Sequence, residues 1–314
     1  MGIRPRRLSH GGRVVEDSLI AAGFCTTSPR VSLIETTLPL PRRRVLVQNA
    51  WNVVDEDELG RLLAPYPSRM RRRMRVRRAV AQANVAMADE AWCLTDAAAE
   101  LVRAGSRAAT VRVSPVAGPW DLMRHERVPG GVPRSDQVIV PGTITWYKRP
   151  DDALRWISEN HDRLGTRQVL FAGEDDGSGC WPYVYDLAGQ MGLTVRRQTL
   201  DRPQLYAAMR RSAAVVVPSA LETLGFALSE ALCHASTVVA SPLASHREVA
   251  NRLGRFPEWL GEGSSEHRTS EPAQVSDRLI GVQAAWVALG RSLGLPRRAG
   301  DARTSTSAGV LRGG

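Results

Sequence analysis

From residue 137 onward, short apolar runs alternate with longer segments whose apolar residues recur at helical spacing, and this alternation limits the fold more than any other feature of the chain. The runs at 137–141, 168–172, 193–197, 213–217 and 237–240 read as strands. The segments at 151–164, 182–191, 202–211 and 224–235 read as the helices between them. A strand that is apolar throughout is buried on both faces, and a helical connection brings the next strand back parallel. The expected class is therefore α/β, with ligands held beyond the carboxyl ends of a parallel sheet. Gly142, Lys148, Gly173, Glu174, Glu222 and Gly225 all fall at those ends. Before residue 137 the rhythm is thinner, with strands expected at 44–48, 90–94 and 110–113 and helices at 69–88 and 96–104.

One of these junctions carries chemistry. The strand 213–217 breaks at Pro218-Ser219, and a helical pattern starts near Gly225. Glu222 lies in the turn and Glu230 eight residues later, about 12 Å along a helix axis. Between them the amides of Gly225, Phe226 and Ala227 form a helix N-terminus, which attracts phosphate. Two carboxylates flanking an anion site suit a diphosphate with a hydroxylated ring at each end, which describes a nucleotide sugar. The plain alternative is a solvated helix face that happens to carry two glutamates.

In this context of strand, Pro-Ser and Gly-aromatic pair, the spacing resembles the Glu-x7-Glu signature of the family-4 retaining glycosyltransferases, which have the GT-B fold. Of 42 Lys+Arg in the chain, Lys148 is the single lysine, and it sits in a loop after the strand 137–141. The surrounding stretch is similar to the opening of that family's C-terminal domain, where a loop lysine binds the donor diphosphate; a compact ammonium suits that task, and arginine is no free substitute. The plain alternative is a leftover surface lysine. The resemblance implies two Rossmann-like domains, the N-terminal one reduced. It implies transfer of a hexose-type sugar from a nucleotide diphosphate to an unidentified acceptor hydroxyl, with retention and with neither metal nor cofactor. Lys148 and Glu222 would act in catalysis. Gly142, Thr143, Lys148, Gly173 and Glu174 would line the donor site, together with Glu222, Gly225, Phe226, Ala227 and Glu230. Thr199 and Leu200 would meet the base. The chain departs from the family at Thr143, where an arginine is usual, and in the loop 241–246, which lacks the usual glycines and ends in His246.

The expected organisation is an acceptor-side domain over 1–134, a donor-binding domain over 135–262, a helix at 271–292 packing back on the first domain, and a disordered tail over 295–314. The family normally has several βα units before residue 44, so either the first domain is reduced or the chain starts downstream of the usual beginning. The four cysteines, Cys25, Cys93, Cys180 and Cys233, are widely spaced with no Cys-x-x-Cys pair, and read as reduced core thiols rather than metal ligands. No apolar run approaches the ~20 residues that span a bilayer. The basic start, Met1 to Arg7, lacks the apolar segment of a secretory signal. These features lead to the expectation of a cytoplasmic enzyme, and the arginine- and alanine-rich composition to that of a bacterial source.

The formal net charge is +10, nearly all of it carried by residues 1–134. The densest run is Arg69-Met70-Arg71-Arg72-Arg73-Met74-Arg75-Val76-Arg77-Arg78, with Met70, Met74, Ala81 and Val85 at helical spacing beneath it. One functional reading is peripheral attachment to the anionic inner face of a membrane; the plain one is a solvated helix face. The run carries no aromatic residue to stack bases, so nucleic acid is not the expected partner. Two other functions remain open: a non-catalytic donor-domain partner of another transferase, which fits Thr143 and the missing glycines, and a basic nucleic-acid-binding module.

Overall fold

The computed structural model describes residues 31–33, 44–47, 54, 56–88, 90–93, 95–105, 110–113, 136–223 and 225–262. The expected helix at 271–292 and tail at 295–314 lie outside these residues, as does Cys25. Two parallel sheets are present. The smaller has the order β1-β2-β3-β4, with β1 Val31–Leu33, β2 Arg44–Val47, β3 Glu90–Cys93 and β4 Val111–Val113. The larger comprises β5 Val138–Pro141, β6 Gln168–Ala172, β7 Thr194–Gln198, β8 Ala214–Val217, β9 Val238–Ala240 and β10 Glu258–Trp259. Its spatial order is β10-β9-β8-β5-β6-β7. The chain winds outward from β5 to one edge, returns to β8, and winds outward to the other edge. Such an order makes a doubly wound sheet with its switch point between β5 and β8.

Burial explains the winding. Strands β5, β8 and β9 are buried at every position, so both of their faces need cover. On one face Val138, Val140 and Val216 pack against Ala153, Leu154 and Ile157 of helix α4 (Pro150–Leu164) and Val184 and Ala188 of helix α5 (Cys180–Gln190). On the other face Ile139, Val215 and Val217 meet helices α6 (Arg202–Arg211), α7 (Phe226–His234) and α8 (Ala244–Leu253) through Met209, Leu228 and Val249. Helix α5 begins two residues ahead of its expected start. Pro182 is tolerated there because the first-turn amides of a helix have no intrahelical acceptor.

Helix α8, strands β1 and β10, and helix α1 (Glu56–Leu63) add to the elements expected from sequence. The segment 241–246 is not all loop, because α8 takes over at Ala244. Its signal lay in Ser245, His246, Val249 and Ala250, which share one helical face and are all buried. Cys93, Cys180 and Cys233 are free thiols, the first two buried.

The smaller sheet carries helix α2 (Ser68–Ala86) and helix α3 (Asp96–Gly105), and joins the larger one through the loops at the ends of β5 and β8 and through helix α8. Thr95 Oγ1 donates to the Thr223 carbonyl at 2.7 Å, and the Glu248 carboxylate accepts from the amides of Asp96 and Ala97 at 3.0 and 3.2 Å. A carboxylate at the start of α3 is well placed for the exposed amides and the helix dipole there.

Beyond the sheet, the chain after β5 stays paired with the chain after β6. The Gly142 amide donates to Ala172 at 3.1 Å and the Ile144 amide to Glu174 at 2.7 Å. The close approach demands glycine: a Cβ on Gly173 would lie 2.0 Å from the Gly142 carbonyl oxygen. Gly173→Ala is therefore expected to lower stability by ~2 kcal/mol or more, the range of overpacked sites. Denaturant unfolding measures it, and an unchanged midpoint contradicts the contact.

Candidate functional site

The switch point brings the loop after β5 beside the loop after β8. A small cleft between them is lined by Pro141, Gly142, Thr143, Lys148, Pro218 and Ser219. Lys148 ends a short 3-10 turn, Trp146–Lys148, that is closed by the Lys148 amide on Thr145 O at 3.1 Å. Arg149 then adopts a left-handed conformation, φ 48°, the one positive φ of a non-glycine among the described residues. This reversal separates the two neighbouring cations. Arg149 turns onto the first turn of α4, 2.8 Å from Asp152, while Lys148 Nζ donates to Glu222 Oε1. Arg149 is thus engaged elsewhere and does not supply the cation that Thr143 lacks.

Glu222 is held by more than the lysine. Ser219 Oγ donates to the same carboxylate oxygen at 2.9 Å. Ser241 Oγ donates to the Ser219 carbonyl, and the Ser241 carbonyl accepts from His246 Nδ1 at 2.9 Å. A hydrogen-bonded chain therefore runs from Lys148 through Glu222, Ser219 and Ser241 to His246. Its far end, His246, lies on α8 rather than at the end of a loop and is wholly buried. Burial pushes the His246 pKa down, against Glu222, which raises it; Lys148 lowers it further. A neutral imidazole that donates from Nδ1 leaves Nε2 as a bare acceptor, and that atom is buried without a hydrogen-bond partner.

Gly225 sits against this ring. With φ 74° it is left-handed, and an added Cβ would lie 2.8 Å from His246 Cδ2. Both the backbone conformation and the space require glycine. Helix α7 starts directly after it with no side-chain cap, so the first-turn amides, those of Phe226 and Ala227 among them, have no intrahelical acceptor. The Phe226 ring is exposed.

Glu230 has separate company. It is buried one turn into α7, where Tyr206 OH donates to Oε1 at 3.0 Å and Arg202 Nε stands 3.8 Å away. Tyr206 in turn stacks on His234 at 4.2 Å. Burial raises the Glu230 pKa, and the Tyr206 hydrogen bond and Arg202 oppose it.

The remaining sequence candidates are scattered along the strand ends. Glu174 is exposed beyond β6, and Thr199 is exposed and Leu200 half-buried beyond β7. Lys148 and Glu222 are thus brought together, as are Gly142 and Gly173. Ser219, Ser241, His246 and Tyr206 were not singled out as site residues from sequence; serines in a loop carry no spacing that marks them. Among the described residues no three His, Cys, Asp or Glu side chains are grouped to hold a metal ion, and no helix is long and apolar enough to cross a membrane.

No protein-family model matches the chain, and no curated protein matches it by sequence. Solved structures do. The α,α-trehalose-phosphate synthase (UDP-forming) of Burkholderia vietnamiensis is similar over 93% of this chain and 73% of its own, with TM-score 0.50 and 14% identity. WaaG, a glycosyltransferase involved in lipopolysaccharide biosynthesis, is similar over 79% of this chain and 69% of its own, with TM-score 0.55 and 16% identity. The architecture is therefore the GT-B fold, with two Rossmann-like parallel sheets.

Glu230 yields a prediction on stability. A carboxyl whose pKa rises on folding supports the fold fully below its unfolded pKa and loses that support as pH climbs through the folded value. Glu230→Gln removes the buried charge and keeps an acceptor for Tyr206. The variant should be more stable than the parent near neutral pH, with the gain gone by about pH 4. Urea unfolding at both pH values checks this, and a neutral-pH loss contradicts it.

Proposed function

We propose that this GT-B chain transfers a sugar from a nucleotide diphosphate to an acceptor hydroxyl with retention of configuration. The observation that carries the reading is the meeting of Lys148, Glu222 and the uncapped start of α7 at the switch-point crevice. In this reading the diphosphate displaces the Lys148–Glu222 pairing, taking the ammonium and the amides near Gly225, Phe226 and Ala227. Glu222, released from the lysine but still held by Ser219, accepts hydrogen bonds from the hydroxyls of the transferred hexose. Glu230 accepts from the ribose, and Thr199 and Leu200 border the base. Gly142, Thr143, Gly173 and Glu174 form the wall beside the phosphates.

The bond from the sugar's anomeric carbon to the diphosphate breaks on the face where the acceptor oxygen arrives. The acceptor's proton passes to the departing diphosphate, and no protein nucleophile is used. Lys148 and the main-chain amides supply the counter-charge, so neither a metal nor a cofactor takes part. Fixed donors aimed at a leaving group stabilise it most as its charge develops.

A second reading, a non-catalytic partner that keeps the donor site, is favoured by Thr143 and by the commitment of Arg149 to α4. Titration calorimetry with UDP and GDP, beside turnover of the matching sugars, separates the two. Lys148→Ala is expected to lower turnover by about a hundredfold while weakening binding less. Binding without turnover supports the partner reading, and no binding of either nucleotide below millimolar defeats both.

We further propose that the protein works in the cytoplasm, at the anionic inner surface of a membrane. Arg69, Arg71, Arg72, Arg73, Arg75 and Arg77 are exposed on α2, a helix with no acidic residue, and Val76 stands among them 58% exposed. Arg78, counted with them from sequence, is turned inward onto Glu56 and the Val54 carbonyl. Each arginine near an anionic bilayer contributes about 1 kcal/mol, so binding to phosphatidylserine vesicles should be strong at low salt and steeply weakened by added salt. Reversing Arg69, Arg72, Arg73 and Arg75 to glutamate should abolish it with little change in melting temperature. Absence of vesicle binding at low salt refutes this placement, and salt-sensitive binding of duplex DNA instead would favour a nucleic-acid surface.

A further inference from the structure

The lysine turn is not self-supporting. Thr145, just before Trp146–Lys148, is buried, and its side-chain partner comes from the other half of the molecule. Tyr66 lies in the bend between α1 and α2, also buried, with its hydroxyl 2.6 Å from Thr145 Oγ1. The main chain of Tyr147 supplies a second hydrogen bond to the Tyr66 hydroxyl. Burial pushes the phenol up to about 12, so it stays protonated at all working pH values.

Tyr66 shares an apolar cluster with Leu59 and Leu63, and Trp146, Tyr147 and Leu221 pack against that cluster from the other half. The Tyr147 carbonyl accepts from the Ala220 amide at 2.8 Å, which ties the lysine turn to the loop of Ser219 and Glu222. The phenol therefore joins the α1–α2 bend to the turn that aims Lys148, and that turn is bonded in its own right to the loop that aims Glu222.

We propose that Tyr66 is a positioning residue for the diphosphate site, capping the Lys148 turn from the N-terminal half so that the site is complete only while the two halves are docked. The proposal rests on the donor-site reading for its function. Its geometric content stands apart from that reading, because Lys148 is the chain's single lysine and its amine can be followed without any ligand. Without the Tyr66 hydroxyl, Thr145 loses a buried partner, the turn gains alternative conformations, and Lys148 spends time away from Glu222.

The test compares Tyr66→Phe and Thr145→Val with the parent by the rate of amine acylation at Lys148, read by peptide mapping. Val102→Ala, a core change in α3 distant from the turn, serves as the control for general loosening. Both test variants should react about fivefold faster, the factor expected for loss of one net hydrogen bond, while the control should not. In parallel, Tyr66→Phe should weaken UDP binding about fivefold in the parent and add no loss in a Lys148→Ala background. Unchanged acylation in both test variants overturns the proposal. So does an equal rise in the control, or a UDP effect that persists undiminished without Lys148. Faster acylation of both test variants, together with a parent that binds no nucleoside diphosphate, upholds the positioning role and sinks the donor-site function instead.

Discussion

Strands β5 and β8 lie side by side at the centre of the larger sheet, buried at every position, and their pairing governs what surrounds them. A parallel strand buried on both faces needs helices above and below it. The connection after β5 therefore covers one face and the connection after β8 the other. At the carboxyl ends of these two strands the chain must part in opposite directions, leaving a crevice that no helix fills. Lys148 and Glu222 sit on the two loops that border it, 74 residues apart in sequence.

Within that crevice the charges are few and each is held. Glu222 is fixed from two sides, by the ammonium and by Ser219, and the serine is itself fixed through Ser241 to a buried neutral histidine. The arrangement keeps a carboxylate and an ammonium in a partly dry cleft by pairing them. It also makes the pair exchangeable. In the proposed function, an anion entering beside the start of α7 takes the lysine from the carboxylate and leaves the carboxylate to accept hydroxyl groups. Glu230 shows the opposite arrangement, a carboxylate buried against Tyr206 with a raised pKa. A group kept at a cost to the fold is a frequent mark of function.

Much of the larger sheet was legible because its signals are local. A run such as Ala214–Val217 is apolar at every position whichever way it is read, and the Pro218-Ser219 break is visible without any partner. The spacing of Glu222 and Glu230 and the isolation of Lys148 are equally one-dimensional facts. Helix α8 was less legible because its buried face includes Ser245 and His246, which resemble a polar loop until Val249 and Ala250 complete the period. Arg78 was misplaced for a related reason: nothing in an arginine run marks the one member that will find Glu56 and the Val54 carbonyl.

The sequence by itself determined the α/β class, the strand ends at which polar residues gather, and the identity of the charged pair, because periodicity and residue type are properties of short segments. Only the tertiary structure decided the strand order that sets β5 beside β8, and with it the contact of Lys148 with Glu222. It alone turned Arg149 away onto α4, set His246 against Gly225, and brought Tyr66 across to Thr145. These are contacts between residues distant in the chain or choices between equivalent side chains. Their energies depend on which surfaces meet, a quantity that no local pattern contains.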